Sequence, residues 1–196
     1  MTTKIDNQIK LRDGRSLGYA EYGNLQGKPV LHFHGLPSSR LEMHSAALDE
    51  IATRLNARVI VVERPGMGLS DFKPGRTIGD WPSDVIQLAD ALGLDRFAVM
   101  GLSGGGPYVT VCALKIPKRL TAAGIISGVG PLEAPGATDG MNKRDRQLYP
   151  IARRAPLLFR LLLWWAARDI RRKPAGFISQ MLPELPETKP HSPTLT

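Results

Sequence analysis

Residues 96–117 read RFAVMGLSGGGPYVTVCALKIP, and one serine in them, Ser103, stands in the pattern Gly101-Leu102-Ser103-Gly104-Gly105. An apolar run (Phe97, Ala98, Val99, Met100) leads into this pattern and an apolar helical run leaves it, which predicts a buried strand, a tight turn and a buried helix. Glycines two before and two after the serine let strand and helix approach closely while the serine takes a strained backbone conformation. Its hydroxyl then stands at a helix N-terminus, where free backbone N–H groups and the helix dipole favour developing negative charge. The chemistry that suits such a group is nucleophilic attack, with the charge formed on the substrate taken up by nearby N–H donors. The plainer alternative is a glycine-rich turn whose serine caps the helix; the strand before and helix after favour the nucleophile.

The elements that must hold this turn can be read from the flanking chain. Ile5 to Leu11 alternates up to Asp13-Gly14, and Ser16 to Tyr22 alternates again up to Gly23-Asn24, which predicts an antiparallel pair at a sheet edge. Pro29 to Phe33 is a short strand entering His34-Gly35-Leu36-Pro37, and helical spacing predicts a helix over about 41–55. Val59 to Val62 is an unbroken β-branched run, as in a parallel strand covered on both faces. Residues 63–71 read as a loop, and Val85, Leu88, Ala89 and Leu92 mark a helix with Pro82 in its first turn and Gly93 as its stop. Ala122 to Ser127 is the strand after the helix of the serine turn. Strands alternating with helices predict an α/β fold with a doubly wound, mostly parallel sheet.

Composition bounds the function. At 196 residues, 42% hydrophobic and 22% charged, the chain is long enough for a sizeable core and shows no signature of disorder as a whole. The single cysteine, Cys112, lies on an apolar helix and reads as a buried, inert thiol. The polar N-terminus lacks a secretory h-region, so the expected compartment is the cytoplasm. The net charge of +8 is local: residues 143–173 carry ten basic and two acidic residues, whereas 1–142 carry 15 and 14. Those basic residues are interleaved with a Leu/Trp pattern and no nucleic-acid motif, so nucleic acid is not an expected partner. No His/Cys/Asp cluster has ligand spacing, so neither a metal nor an organic cofactor is expected.

Three motifs in order, His34-Gly35-Leu36-Pro37, Arg64-Pro65-Gly66-Met67-Gly68-Leu69-Ser70-Asp71 and Gly101-Leu102-Ser103-Gly104-Gly105, give the chain a resemblance to the α/β-hydrolase fold superfamily. Over about residues 5–180 it resembles the branch of capped serine hydrolases, in which a helical cap follows the sixth strand. The resemblance implies Ser103 as nucleophile, the backbone N–H groups of Leu36 and Gly104 as the oxyanion hole, and His34 and Gly35 as the residues shaping that loop. It implies hydrolysis of an ester or similar small-molecule acyl substrate through an acyl-enzyme. A serine in place of an aspartate argues against the dehalogenase and epoxide-hydrolase relatives. The loop 64–71 is assigned no chemistry, and Glu63 stands where family members often carry Asp.

The resemblance also implies a division into an α/β core (1–130), a cap (131–181) and a tail (182–196). Leu157 to Trp165 at the centre of the cap segment is too short to span a bilayer and holds Arg160; a lid helix is the favoured reading, an amphipathic helix on anionic lipid the lesser one. The tail, with four prolines, predicts disorder. Family members place the acid and histidine after the serine, on loops after later strands. Here the only histidine after Ser103 is His191, in the tail, where it is not expected to act as base, and Glu133 reads as a solvated carboxylate. The sequence therefore reads as a C-terminally truncated hydrolase lacking the fold's final strands, with impaired turnover and a tendency to self-associate through an open sheet edge. The alternative is a non-catalytic binding or interaction protein on the same fold.

Overall fold

A computed structural model describes residues 5–139, 141 and 143–176. The chain falls into two compact units that meet between Ala137 and Thr138.

The first unit is built on a six-stranded sheet. Its strands are β1 (Asn7–Lys10), β2 (Ser16–Gly23), β3 (Lys28–Phe33), β4 (Ala57–Val62), β5 (Phe97–Leu102) and β6 (Leu120–Ile126), in the order β1-β2-β4-β3-β5-β6. β1 with β2 and β2 with β4 are antiparallel, and the remaining neighbours are parallel. The Asp13-Gly14 signal sits at the β1–β2 hairpin, where Gly14 has φ 84°. Three helices cover the sheet: α1 (Ala46–Arg54), α2 (Trp81–Ala91) and α3 (Gly106–Lys115). The doubly wound, mostly parallel α/β sheet expected from the alternation of strands and helices is the one observed.

The period of two in the strands decides which helix covers which side chain. Leu31, Phe33, Ile60, Val62, Phe97 and Val99 join the buried cluster with Trp81, Val85 and Leu88 of α2 and Val109 and Cys112 of α3. The alternate residues Val59 and Val61 face Ala20, Tyr22 and Ala52 of α1. Both faces of β4 are thus dry, which is why its sequence is an unbroken apolar run instead of an alternating one. Next to the turn after β5, Phe33, Trp81 and Tyr108 stack edge to face, with ring centroids 5.3 and 5.5 Å apart; such pairs add about 1 kcal/mol beyond the area they bury.

The helix expected over 41–55 is two elements. A 3₁₀ turn covers Arg40–Met43, capped by the Ser39 hydroxyl accepting from Leu41 N–H, and α1 begins at Ala46, capped by Ser45 accepting from Leu48 N–H. Each serine offers the backbone a local partner and so starts its own helix. The break at His44–Ser45 matters because it leaves the 3₁₀ turn free to carry Glu42 back toward the end of β3.

The second unit contains α4 (Lys143–Arg154) and α5 (Pro156–Arg172), with Pro150 inside α4. Among the described residues no helix is long and apolar enough to cross a membrane. The segment 177–196, including the tail and His191, lies outside the described residues.

Candidate active site

β5 ends at Leu102, Ser103–Gly105 form a single 3₁₀ turn, and α3 follows at once from Gly106. Ser103 has φ 49°, in the left-handed region that costs an L-residue about 1–2 kcal/mol. Two glycines make the turn possible. A Cβ on Gly105 would lie 2.0 Å from the carbonyl oxygen of Phe33, and one on Gly101 would lie 2.6 Å from that of Gly105. Backbone meets backbone at both points, so nothing larger fits.

The turn is packed against the segment after β3. A methyl group on Gly35 would sit 3.7 Å from Ser103 Cβ and 3.2 Å from Glu42 Oε1, and one on Gly104 would sit 3.6 Å from Leu36 N. Ser103, Gly104, Gly35 and Leu36, far apart in sequence, are therefore brought to one spot at the carboxyl end of the parallel strands. That is where open α/β sheets present their ligands. The Ser103 carbonyl accepts from Val129 N–H at 3.1 Å, which fixes the peptide whose other end is the Gly104 N–H.

His34 is fully buried, with Nδ1 2.9 Å from Gly35 O and 3.0 Å from Arg64 Nη2. Burial, and then the neighbouring Arg64 charge, lower its pKa from 6.5 to about 4, so the ring is neutral near pH 7. It is built into the loop and not aimed at Ser103 as a base. His32 is also buried and donates from Nε2 to Glu42 Oε2 at 2.6 Å. No histidine among the described residues hydrogen-bonds the Ser103 hydroxyl. Those residues also hold no group of His, Cys, Asp or Glu able to bind a metal.

Three residues given no chemical part by the sequence turn out to hold this spot together. Arg64, buried at the end of β4, donates from Nη1 to His34 O and from Nη2 to Gly35 O, both at 2.7 Å, and its guanidinium lies 5.1 Å from the centre of the Tyr108 ring. Its Nη1 also lies 3.5 Å from Gly104 O. Burial lowers the Arg64 pKa. Glu42 accepts the Gly35 N–H at 2.9 Å through Oε1 while its other oxygen holds His32. Burial raises the Glu42 pKa, and the hydrogen bonds from His32 and Gly35 outweigh that effect and leave it lowered. Glu63, with no exposed surface, accepts from Arg40 Nη1 at 2.9 Å and from Leu69 N–H at 2.5 Å. Through these two bonds it ties the loop 64–71 to Arg40. The signal for Arg64 was a pair of charges, Glu63 and Arg64, placed directly after four buried residues of β4.

Residues 28–155 match the family model described as the alpha/beta hydrolase fold. The chain belongs to the α/β-hydrolase fold family. Among α/β-hydrolases of known sequence it is 31% identical over 133 residues to a non-heme chloroperoxidase from Streptomyces lividans, a match covering 67% of this chain and 48% of that protein. The chain thus spans about half the length of this curated relative. Among solved structures, a hydrolase from Pseudomonas aeruginosa superposes with a TM-score of 0.61 at 23% identity, covering 94% of this chain and 63% of that one. A protein assigned as an aryl esterase, from Burkholderia cenocepacia, gives 0.55 at 26%, covering 66% and 49%. The α/β-hydrolase matches include haloperoxidase, esterase and epoxide-hydrolase names.

Proposed function

We propose that the chain carries the nucleophile half of a serine hydrolase acting on an ester or similar acyl compound. Ser103 Oγ attacks the carbonyl carbon and gives up its proton to water, which returns one to the leaving group; the carbonyl oxygen gains the charge, and the N–H groups of Leu36 and Gly104 take it up. The alcohol or other leaving group departs, and water hydrolyses the Ser103 acyl-enzyme. The observation that supports this best is Ser103 at φ 49° between β5 and α3 with the Leu36 backbone packed against Gly104. A strained serine is retained at a turn where glycine would cost nothing, which is how strain marks a functional position. The cytoplasm is the compartment we propose.

A second reading, a small-molecule-binding protein without turnover, is favoured by one observation: no described histidine reaches Ser103. A serine hydroxyl without a base is a weak nucleophile at neutral pH. Two measurements separate the readings. An activated fluorophosphonate should label Ser103 slowly in the 196-residue chain and not in Ser103→Ala. Turnover of short p-nitrophenyl esters should lie near background, since loss of a general base removes roughly 10²–10⁴ in rate. Labelling that survives Ser103→Ala defeats the nucleophile assignment, and a robust ester rate abolished by His191→Ala makes the tail histidine the base.

A further inference from the structure

The Leu36 N–H can serve an oxyanion only if its peptide plane is held in one orientation, and side chains from two other elements hold that plane and its neighbour. The Gly35–Leu36 peptide is trans, so its C=O and N–H point in opposite directions. Arg64 Nη2 holds Gly35 O at 2.7 Å, and this fixes the Leu36 N–H away from the guanidinium. The preceding peptide is gripped at both ends: Arg64 Nη1 holds His34 O at 2.7 Å, and Glu42 Oε1 takes the Gly35 N–H at 2.9 Å. Glu42 is itself anchored by His32 Nε2 at 2.6 Å.

Arg64 forms no ion pair with a described carboxylate; it touches carbonyl oxygens, the neutral His34 ring (Nη2 to Nδ1, 3.0 Å) and the Tyr108 ring. A buried cation is costly to keep when no carboxylate pairs with it. Its two strong bonds fall on consecutive carbonyls of the loop after β3, which packs against Ser103 and Gly104. A charged donor on Gly35 O also polarises that peptide, which strengthens Leu36 N–H as a donor.

We propose that Arg64, with Glu42 opposite it, is a positioning residue that aims and polarises the Leu36 N–H toward the oxyanion formed on attack by Ser103. This rests on the nucleophile reading above. Lysine cannot replace the arginine, because an ammonium on a flexible stem does not span two carbonyls as a planar fork does. Glutamine can replace Glu42, because its amide oxygen still accepts the Gly35 N–H.

The test uses the whole chain and two phosphonate probes of one leaving group, one with P=O and one with P=S, whose sulfur is the weaker acceptor. Ser103 modification is followed by intact-mass spectrometry, with circular dichroism and thermal midpoint recorded for every variant. Arg64→Lys should slow P=O labelling about tenfold, a part of the roughly 10²–10³ that follows complete loss of an oxyanion donor. The ratio of P=O to P=S rates should fall by a similar factor, a change that a merely structural role does not produce. Glu42→Ala should slow P=O labelling about fivefold and Glu42→Gln should restore it to within twofold. A folded Arg64→Lys with the wild-type rate and ratio overturns the proposal. If Arg64→Lys does not fold, the Glu42 pair decides, and equal rates for Ala and wild type overturn it. Wild-type protein left unlabelled at Ser103 defeats instead the nucleophile reading on which the clamp depends.

Discussion

Acidification should unfold this protein through His34 before its surface carboxylates have titrated fully. The ring is buried beside Arg64, with Glu42 and Glu63 the carboxylates nearest in influence, and its pKa is lowered from 6.5 to about 4. Between those values the unfolded chain binds a proton that the folded chain refuses, so protons favour unfolding. The stabilisation is complete above pH 6.5, is lost as pH falls at up to about 1.4 kcal/mol per pH unit, and is gone once pH passes below 4. The whole effect amounts to about 3 kcal/mol, a large fraction of the stability of a typical domain. Urea unfolding at pH 7.0, 6.0, 5.0 and about 4.5 measures it, with His34→Asn as reference. Asparagine places a polar atom where Nδ1 stands and does not titrate, while the carboxylates remain in both proteins and cancel in the difference. Wild type should lose roughly 2 kcal/mol more than His34→Asn between pH 7 and 4.5. Parallel curves for the two proteins would show that His34 accepts its proton in the folded state at an ordinary pH, and the buried, cation-flanked description would be wrong.

Further outcomes follow from the turn and from the sheet edge. Ser103→Gly should abolish phosphonate labelling and raise stability by roughly 0.5–1 kcal/mol, since glycine occupies the left-handed region without penalty; an unchanged or lower urea midpoint would contradict strain at Ser103. Gly105→Ala should cost on the order of 4 kcal/mol and remove labelling, because the added carbon meets the Phe33 carbonyl and neither backbone can yield; wild-type stability would refute that contact. β6 pairs only with β5 among the described residues, and Ile125 and Ile126 remain about half exposed (50% and 49%), so the chain should elute above its monomer mass in light scattering coupled to size exclusion at micromolar concentration. Ile126→Lys should shift it toward monomer, and a sharp wild-type monomer peak would show the edge to be closed.

What the sequence made legible is what side-chain type controls. The unbroken run Val59 to Val62 announced a strand with both faces covered, because burial acts on side chains and leaves its mark on their types; Ser16 to Tyr22 announced a strand by its alternation, yet the structure buries both of its faces from Leu17 to Tyr22. The turn at Ser103 was legible for a related reason. Steric exclusion at Gly101 and Gly105 admits one residue type, so the constraint is written in the letters themselves. The split of the 41–55 helix was less legible, since Ser39 and Ser45 are ordinary residues until their hydroxyls are seen to cap two separate starts.

The holding of the Leu36 peptide was not legible, and the reason is physical. Arg64 makes its two shortest bonds to carbonyl oxygens of His34 and Gly35, and every residue type supplies the same carbonyl. No partner residue betrays such a contact. Glu42 is equally silent: its position fits helical spacing, where a carboxylate reads as a solvated face, yet one oxygen takes a backbone N–H and the other a buried histidine. The trace is a cost left unexplained, an arginine buried two residues past the end of β4. A buried charge with no carboxylate to pair must be stabilised by dipoles, and dipoles dense enough to do so are found where a chain turns its carbonyls one way. Turning them one way leaves the N–H groups of the same peptides facing the other. At the end of β3 that other side is where Ser103 stands, so the stabilisation of Arg64 and the aiming of the Leu36 N–H are one arrangement seen from its two ends.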